Sequence, residues 1–243
     1  MHADATPGPS ITSRWLLERL GIVTTVIGAA PPSRDARTGR LVVANHLGFL
    51  DILVLAAWRP LVFVAKEEVA DWPIVGPFAR RCDTLFIPRR PVRRLDQCVA
   101  TLTARLEEGR DVLVFPEATT SRGERVLPFR PACFEAACRA GADVECLHLS
   151  YRLATGADPT TLTTWVGDDW LLPRVAALSV APRITAVVEQ LAICTTRGGI
   201  HRKSMAREAE RLIGAARQRV RAADLVAHPS IGYPPVDHPP LPT

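Results

Sequence analysis

The sequence predicts a single α/β domain in which a mixed, largely parallel sheet is flanked by helices. Two observations support this prediction. Short β-branched and apolar runs alternate along the chain with segments whose apolar residues recur at helical spacing. The 243 residues are also 47% hydrophobic, which suits one domain with a full core. We expect that domain to span residues 11–226, between a disordered amino terminus at 1–10 and a proline-rich disordered tail at 227–243.

Seven short segments are predicted to be strands, because each is apolar and most are rich in β-branched residues. They are residues 21–28, 41–44, 61–65, 84–87, 112–115, 144–151 and 184–193. The run at 41–44 has no polar residue at all, which is typical of a strand buried on both faces.

Helices are predicted where apolar residues recur on one side of a helical turn. They are residues 11–20, 52–58, 132–140 and 203–224, together with 67–80, which we expect to be broken by Pro73, Gly76 and Pro77. A further amphipathic helix ends at Gly109, and its apolar stripe consists of Val92, Leu95, Val99, Leu102 and Leu106. Because this helix joins strands 84–87 and 112–115, we expect a βαβ unit in which these strands pair in parallel through a right-handed crossover.

The net charge of +5 is carried almost entirely by arginine, since the only lysines are Lys66 and Lys203. A basic excess fits an anionic membrane surface or a phosphate-bearing substrate, and a compositional bias toward arginine and alanine explains it equally well. No basic block is interleaved with aromatic residues, so we expect no nucleic-acid partner. The six cysteines match no common zinc-binding spacing, so we expect free thiols and no metal.

Residues 41–58 are nearly long and apolar enough to span a bilayer, but they contain Asn45, His46 and Asp51, which lipid disfavours. We therefore interpret this stretch as a buried strand followed by a buried helix, and we expect any membrane contact to be peripheral. Residues 1–10 lack the apolar core of a signal peptide, which favours a cytoplasmic location.

A second apolar cluster has two interpretations that the sequence leaves open. Its members are Trp72, Ile74, Val75 and Phe78. They belong either to the core or to a surface that enters the bilayer interface or lines a groove for an acyl chain.

The stretch from Leu41 to Asp51 contains the first candidate site. Its apolar run ends at Asn45-His46, and Asp51 follows five residues after His46, where we expect the N-cap of the next helix. A carboxylate at this place can fix the tautomer of His46 and leave its other ring nitrogen free to act as a base. A histidine and an aspartate at this spacing also occur by chance, so this pair alone does not establish a catalytic site. The other motifs of the chain are needed for that assignment.

Three polar clusters directly follow predicted strands. They contain His46, Arg89 and Glu117, and the last cluster continues as a polar loop to residue 123. Ligands of open α/β sheets bind outside the carboxyl ends of the strands, so parallel strands would bring the three clusters into one crevice. A base, a cation and a hydrogen-bonding loop suit the transfer of a group onto the hydroxyl of an anionic acceptor. The sequence has no Gly-rich phosphate loop, nucleophile elbow or dinucleotide fingerprint.

Together these motifs resemble those of the glycerolipid acyltransferases, the family of lysophosphatidic acid acyltransferases with its H-x4-D motif. The resemblance rests on Asn45-His46 with Asp51, on Phe86-Ile87-Pro88-Arg89 and on Phe115-Pro116-Glu117, and it extends from about residue 23 to residue 220. It implies the fold of that family and direct transfer of a fatty acyl group from acyl-CoA or acyl-carrier protein to a lysolipid hydroxyl. It also implies no metal or organic cofactor and a peripheral position on the cytoplasmic side of the cell membrane.

The resemblance assigns a role to each motif residue. His46 is expected to be the general base, and Asp51 is expected to orient it. Arg89 is expected to bind the anionic head group of the acceptor. Glu117 and the loop that follows it are expected to complete the acceptor site, and the loop residues are Ala118, Thr119 and Thr120.

Three residues depart from the family pattern. Ala118 and Thr120 stand where the third motif has glycine and arginine, and Cys146 stands where the fourth motif has proline. If position 118 needs a positive φ, alanine costs about 1 kcal/mol there. Thr120 removes a bidentate phosphate ligand and makes the loop similar to that of the lyso-ornithine lipid acyltransferases, whose acceptor has no phosphate.

Two alternatives to an active acyltransferase remain. A lipid-binding relative of the same fold with impaired turnover fits Ala118 and Cys146, whereas the intact His46 and Asp51 oppose it. The other alternative is a hydrolase of acyl thioesters, in which water replaces the acceptor.

Overall fold

The computed structural model describes residues 10–30, 38–73, 75–87, 95–153, 159–164, 171–196 and 199–227. Some predictions from the sequence fall outside these ranges. They concern nearly all of both terminal segments, together with Ile74, Arg89 and Val92.

Within these ranges, seven strands form one sheet. The strands are β1 (Ile22–Gly28), β2 (Leu41–Ala44), β3 (Val62–Lys66), β4 (Thr84–Ile87), β5 (Val112–Val114), β6 (Val144–Leu153) and β7 (Ile184–Cys194). The helices are α1 (Ile11–Arg19), α2 (Phe49–Trp58), α3 (Val75–Arg81), α4 (Leu95–Glu107), α5 (Ala132–Ala140), α6 (Thr160–Thr163), α7 (Leu171–Ser179) and α8 (Arg202–Ala227), with a 3-10 helix at Glu67–Asp71. Each predicted strand and helix is therefore present near its expected position.

The strand order is β1-β7-β6-β2-β5-β3-β4. Strands β2 to β6 run parallel to one another, β7 is antiparallel to β6, and β1 is parallel to β7. The predicted mixed, largely parallel sheet is thus confirmed. The carboxyl ends of β2, β5 and β6 point to the same side of the sheet, and this places the polar loops that follow β2 and β5 together.

The predicted pairing of strands 84–87 and 112–115 is wrong. β4 pairs with β3, and β3 pairs with β5, so β3 lies between the two strands that α4 connects. A helical crossover fixes the direction and handedness of the strands it joins but does not require them to be neighbours. Val62 and Phe63 of β3 are buried, whereas every residue of β4 is half-exposed, which suits β4 to the edge.

Helices cover both faces of the sheet and form two apolar clusters. Successive residues of β2 point to opposite faces, so Val42 packs with α2 in one cluster and Val43 packs with α4, α5 and α8 in the other. All four residues of β2 are buried, as expected for a strand between two neighbours. The chain therefore leaves the centre of the sheet where the candidate site begins.

Candidate active site

Asn45 is the first residue after β2, and its side chain takes the place of a backbone pairing. Its Nδ2 donates to the backbone oxygen of Leu149 at 3.0 Å, and the Leu149 N–H donates to Asn45 Oδ1 at 2.7 Å. The side chain is buried and thereby extends the contact between β2 and β6. Asn45 thus fixes the start of the loop that carries His46, a role that the sequence analysis did not assign to it.

Asp51 is not the N-cap of α2, contrary to the prediction, but the third residue of the helix. The helix begins at Phe49, and Gly48 is the N-cap. From inside the helix, Asp51 Oδ2 accepts hydrogen bonds from the backbone N–H groups of Leu47 at 2.6 Å and Gly48 at 2.9 Å. A carboxylate at the third position can reach back in this way to N–H groups that the helix leaves without partners, and its charge suits the first turn.

The structure brings His46 and Asp51 together as the sequence analysis expected. His46 Nδ1 lies 2.9 Å from Asp51 Oδ2, and the Asp51 side chain is fully buried while that of His46 is 18% exposed. The His46 ring stacks on Phe115, with ring centroids 4.0 Å apart. Because Nδ1 faces a carboxylate, this nitrogen carries the proton and Nε2 keeps its lone pair. Among the described residues, Nε2 has no hydrogen-bond partner.

Tyr151 is a member of the site that the sequence analysis missed. It lies on β6, is buried, and donates its hydroxyl to Asp51 Oδ1 at 2.6 Å. Burial and the neighbouring Asp51 charge raise the pKa of Tyr151 well above its ordinary value, so the hydroxyl keeps its proton. The two residues are 100 positions apart in the chain. No local pattern pairs them, and only the position of β6 beside β2 could have revealed the contact.

Glu117 joins the loop after β5 to the loop that carries His46. Its Oε1 accepts the backbone N–H of His46 at 2.8 Å, and its Oε2 accepts the backbone N–H of Leu127 at 2.9 Å. The residue is only 5% exposed. Burial raises the pKa of Glu117, and the two backbone hydrogen bonds partly oppose this effect. Both carboxylate oxygens therefore hold the two loops together through hydrogen bonds. Contact between Glu117 and an acceptor stays a prediction.

The residues after Glu117 turn back toward His46. Ala118 has φ +57°, the left-handed conformation that the glycine of the family motif would adopt readily. Thr119 is exposed, Thr120 is half-buried, and the Ser121 N–H donates to the backbone oxygen of His46 at 3.1 Å. The loop from Ala118 to Thr120 thus lies beside the candidate base, where an acceptor site was expected.

Helix α8 holds the next part of this loop. Arg217 is buried and donates its Nε to the backbone oxygen of Gly123, and Arg221 donates to the backbone oxygen of Glu124. Gly123 has φ +71°, and a Cβ atom there would lie 2.5 Å from Leu47 Cδ2. A side chain at this position would therefore have to displace the end of the Leu47 side chain, and the positive φ of Gly123 disfavours any residue other than glycine.

Arg89 lies outside the described residues, so the predicted head-group cation has no described position. In the described part of the chain, no three histidine, cysteine or carboxylate side chains are grouped closely enough to hold a metal ion.

Cys146 is buried in β6, where the register with β7 shifts between Glu145 and Leu147. Strands tolerate proline at such irregular points, which gives a physical reason for the proline of the family motif.

This arrangement can perform general base catalysis on a hydroxyl group. A histidine with one nitrogen held by a buried carboxylate and the other open is suited to accept a proton from a bound alcohol. Ser121, the hydroxyl residue next to His46 in space, uses its Oγ to accept the backbone N–H of Gly123 at 3.1 Å. The described contacts of Ser121 are therefore those of a loop residue and not those of a nucleophile activated by His46.

Comparison with known proteins identifies the class. The family model described as Acyltransferase matches residues 30–150, which include His46, Asp51 and Glu117. A lyso-ornithine lipid O-acyltransferase from Pseudomonas aeruginosa is 34% identical over 220 residues, which cover 88% of this chain and 81% of the relative. The chain therefore belongs to the acyltransferase family and is an enzyme of acyl transfer.

Further relatives are similar over shorter stretches. A 1-acyl-sn-glycerol-3-phosphate acyltransferase from Neisseria gonorrhoeae is 38% identical over 125 residues, which cover 51% of this chain and 49% of the relative. A lyso-ornithine lipid O-acyltransferase from Rhodobacter capsulatus is 39% identical over 151 residues, which cover 60% of this chain and 54% of the relative. The alignments thus span about half the length of these two relatives.

A solved structure supports the fold. The 1-acyl-sn-glycerophosphate (LPA) acyltransferase PlsC from Thermotoga maritima superposes with a TM-score of 0.61. The match covers 86% of this chain and 81% of that protein, at 19% sequence identity. The predicted acyltransferase fold is thereby confirmed.

Proposed function

We propose that this protein transfers a fatty acyl group from a thioester donor to the hydroxyl group of a lysolipid. One observation carries the proposal: no described residue occupies His46 Nε2, while His46 Nδ1 lies 2.9 Å from the fully buried carboxylate of Asp51. Membership of the acyltransferase family supports it. Acyl-CoA and acyl-carrier protein both supply such a thioester, and the proposal includes either donor. It involves no metal or organic cofactor.

In the proposed reaction, His46 Nε2 accepts the proton of the acceptor hydroxyl while the hydroxyl oxygen attacks the thioester carbonyl carbon. Asp51 keeps the imidazole in place and stabilises the positive charge that it acquires. The tetrahedral intermediate then loses its carbon–sulfur bond, and the proton on His46 passes to the thiolate that leaves. The acyl group moves directly from donor to acceptor, without an acyl-enzyme.

We place lyso-ornithine lipid before lysophosphatidic acid as the acceptor. Thr120 provides a neutral side chain where the family motif has an arginine, and a lyso-ornithine head group has no phosphate to bind. The Pseudomonas relative, whose name states this acceptor, aligns with 88% of the chain, whereas the Neisseria relative aligns with 51%. Arg89 and the loop from Glu117 to Thr120 remain the proposed contacts of the acceptor.

Membrane contact is proposed to be peripheral and on the cytoplasmic side. Within the described ranges, no helix combines the length and the apolar character that crossing a bilayer requires. Helix α1 exposes 83% of Ile11 and 52% of Trp15, and the Arg19 guanidinium lies 5.3 Å from the centre of the Trp15 ring. Apolar and aromatic side chains beside a cation suit the boundary between acyl chains and anionic head groups.

The sequence left open whether the apolar cluster at 72–78 belongs to the core or to a surface that contacts the membrane. Its described members differ in this respect. Trp72 is 45% exposed, whereas Phe78 packs against the core. We therefore assign membrane contact first to α1. Among the described members of the cluster, Trp72 is the one exposed enough to add to it.

Vesicle flotation tests the membrane contact. We expect the protein to float with vesicles that contain anionic lipid at low salt, and the Ile11→Ser, Trp15→Ser double variant to remain largely in the soluble fraction. A variant of two residues exposed elsewhere, Ile200→Ser with Val180→Ser, provides the control because its loss of apolar surface is comparable. Recovery of the wild-type protein wholly in the soluble fraction contradicts the proposal.

Acyl transfer by the purified protein tests the activity. The donors are labelled acyl-CoA and acyl-carrier protein, and the acceptors are lyso-ornithine lipid, lysophosphatidic acid and none. We expect His46→Ala to lower the rate by a factor of about 100 to 10,000, as loss of a general base does. His201→Ala removes an exposed histidine and should keep the wild-type rate.

Each outcome of this assay has one meaning. Product with one acceptor that is lost in His46→Ala supports the proposal and identifies the acceptor. Thioester loss that needs no acceptor identifies a hydrolase and contradicts it. No turnover with any pair of substrates, in protein shown to be folded, identifies the binding relative with impaired turnover and also contradicts it.

A further inference from the structure

The two oxygens of the Asp51 carboxylate have different partners. Oδ2 lies within hydrogen-bond distance of His46 Nδ1 and of the backbone N–H groups of Leu47 and Gly48. Oδ1 accepts a hydrogen bond from the Tyr151 hydroxyl at 2.6 Å. The Asp51 side chain is fully buried, and Tyr151 is the residue that the described part of the chain places against Oδ1. Tyr151 therefore provides the hydrogen bond to the oxygen of this carboxylate that does not face His46.

We propose that Tyr151 is a positioning residue that fixes the rotation of the Asp51 carboxylate and, through it, sets how readily His46 takes up a proton. The inference rests on the proposed function, because it assigns His46 the role of the base. It adds a third residue, from strand β6, to the pair that the family motif contains.

The physical argument concerns the charge on the carboxylate. A short hydrogen bond from a buried hydroxyl stabilises the anion and draws part of its charge toward Oδ1. Less charge then remains at Oδ2 to stabilise protonated His46. Removing the hydroxyl therefore has a defined consequence: His46 becomes easier to protonate, and the neutral form that acts as base persists only at higher pH.

The charged groups around the pair come from three elements. Asp51 belongs to α2, Tyr151 reaches it from β6, and Glu117 approaches His46 from the loop after β5. The pKa of Tyr151 is raised by burial and by Asp51, so Tyr151 donates and does not ionise over the working range. Glu117 is present in all the variants below, so its effect on the protonation of His46 is the same in each and cancels when they are compared.

A purely structural role for Tyr151 makes a different prediction. If the hydroxyl only satisfies a buried carboxylate, its loss lowers the free energy of unfolding and leaves the pH dependence of catalysis where it was. The position of the acidic limb of the pH–rate profile thus separates the two roles, whereas loss of rate alone does not.

The first experiment compares Tyr151→Phe with the wild-type protein. We expect kcat to fall about tenfold, as for loss of one hydrogen bond to a charged group, with KM for donor and acceptor nearly unchanged. We expect the acidic limb of the profile to move to higher pH. Ser150→Ala is the matched control, because it removes a buried hydroxyl from the next residue of β6, whose side chain points to the opposite face.

A second variant keeps the shape of the site and reverses the direction of the effect. The chain has two tyrosines, Tyr151 and Tyr233, so Tyr233→Phe protein produced with 3-fluorotyrosine carries the label at Tyr151 alone. The ring fluorine makes the phenol a stronger donor, and we expect the acidic limb to move to lower pH. Protonation of His46 should also shift the fluorine NMR signal, and His46→Ala should abolish that titration.

The outcomes separate this inference from the proposed function. Opposite shifts in the Phe and fluorotyrosine proteins support the inference. A profile that stays in place in both, or a fluorine signal that titrates equally in His46→Ala, overturns it. The fluorine titration needs no substrate, so it tests Tyr151 even if the protein fails to transfer an acyl group. It also gives a result if Tyr151→Phe does not fold.

Discussion

The Glu117 carboxylate accepts the backbone N–H of His46 at 2.8 Å, although the two residues are 71 positions apart in the sequence. Its other oxygen accepts the N–H of Leu127. Two loops that follow different strands are thereby joined under the candidate base. The acidic residue of the third motif, which the sequence analysis expected at the acceptor, has its described contacts with the backbone.

Glu117→Gln tests whether this residue holds the loops. The amide would place an N–H₂ group against a backbone N–H, so we expect the free energy of unfolding to fall by about 1–3 kcal/mol. We expect kcat to fall with little change in KM for the acceptor, measured by steady-state kinetics. Glu124→Gln in the same loop is the control and should change neither quantity. A rise in acceptor KM alone would instead support direct contact with the acceptor.

The same variant makes a prediction about pH. The pKa of Glu117 is raised by burial, so the folded protein keeps a proton that the unfolded chain releases. The free energy of unfolding of the wild-type protein therefore loses a contribution as the pH rises from the ordinary value of glutamate to the raised one. Urea unfolding at a series of pH values should show this loss in the wild-type protein and not in Glu117→Gln.

Ala118→Gly is expected to stabilise the protein. Ala118 has φ +57°, which costs an alanine about 1 kcal/mol and costs a glycine little, while the added freedom of the unfolded chain offsets part of the gain. We expect a small rise in melting temperature by calorimetry. Ala100→Gly, at an exposed position of α4, should instead lower stability by about 1 kcal/mol. Equal losses in both variants would contradict the strain at position 118.

Asn45→Asp is expected to destabilise the start of the His46 loop. The change keeps the acceptor for the Leu149 N–H but replaces the donor that faces the Leu149 oxygen with a charged oxygen. We expect a loss of about 2–3 kcal/mol or more in the free energy of unfolding, together with a loss of activity. Gln97→Glu, the corresponding change at an exposed position, should have almost no effect. Similar stability of the two variants would argue against the pairing of Asn45 with Leu149.

His148 is expected to make the protein sensitive to acid. Burial, with smaller effects of Arg217 and Arg219, lowers its pKa from 6.5 to about 3. The nearby Glu189 carboxylate, 3.4 Å from Nδ1, is also paired with Arg219 at 2.8 Å. Between about pH 6.5 and about pH 3, His148 is therefore protonated in the unfolded chain but not in the folded protein. The free energy of unfolding falls as the pH falls through this range.

His148→Gln should remove this component, which amounts to roughly 3 kcal/mol between pH 6.5 and pH 4. Urea unfolding across that range measures it as the difference in slope between variant and wild-type protein. His201→Gln, at an exposed position, should keep the wild-type slope. An unchanged slope in His148→Gln would show that His148 takes up its proton over the same pH range in the folded protein as in the unfolded chain.

The sequence predicts most of the elements of this fold because their signals are local. Apolar runs and helical spacing locate the strands and helices, and the carboxyl ends of β2 and β5 locate His46 and Glu117. Strand neighbours are not a local property, so the insertion of β3 between β4 and β5 could not be predicted from the crossover rule. The sequence places the start of α2 too late in the chain, because Asp51 is a strong N-cap signal and Gly48 is a weaker one.

The residues around the candidate base were harder to predict. Tyr151, Leu149 and Arg217 come from β6 and α8, and they reach the site only through tertiary packing. None of them belongs to a motif with His46. The sequence could identify the candidate catalytic pair, but it could not identify the residues that hold this pair in place.

The pairing of β1 with β7 also constrains the order in which the protein can form during synthesis. Within the described residues, β1 (residues 22–28) pairs with residues 184–190 of β7 and with no other strand, and Val23, Val26 and Ile27 remain exposed even in the folded sheet. A chain that leaves the ribosome amino end first can assemble β2 to β6 while β1 still has no partner. This strand is therefore among the last to join the sheet, and until then its backbone N–H and C=O groups lack the partners that β7 provides.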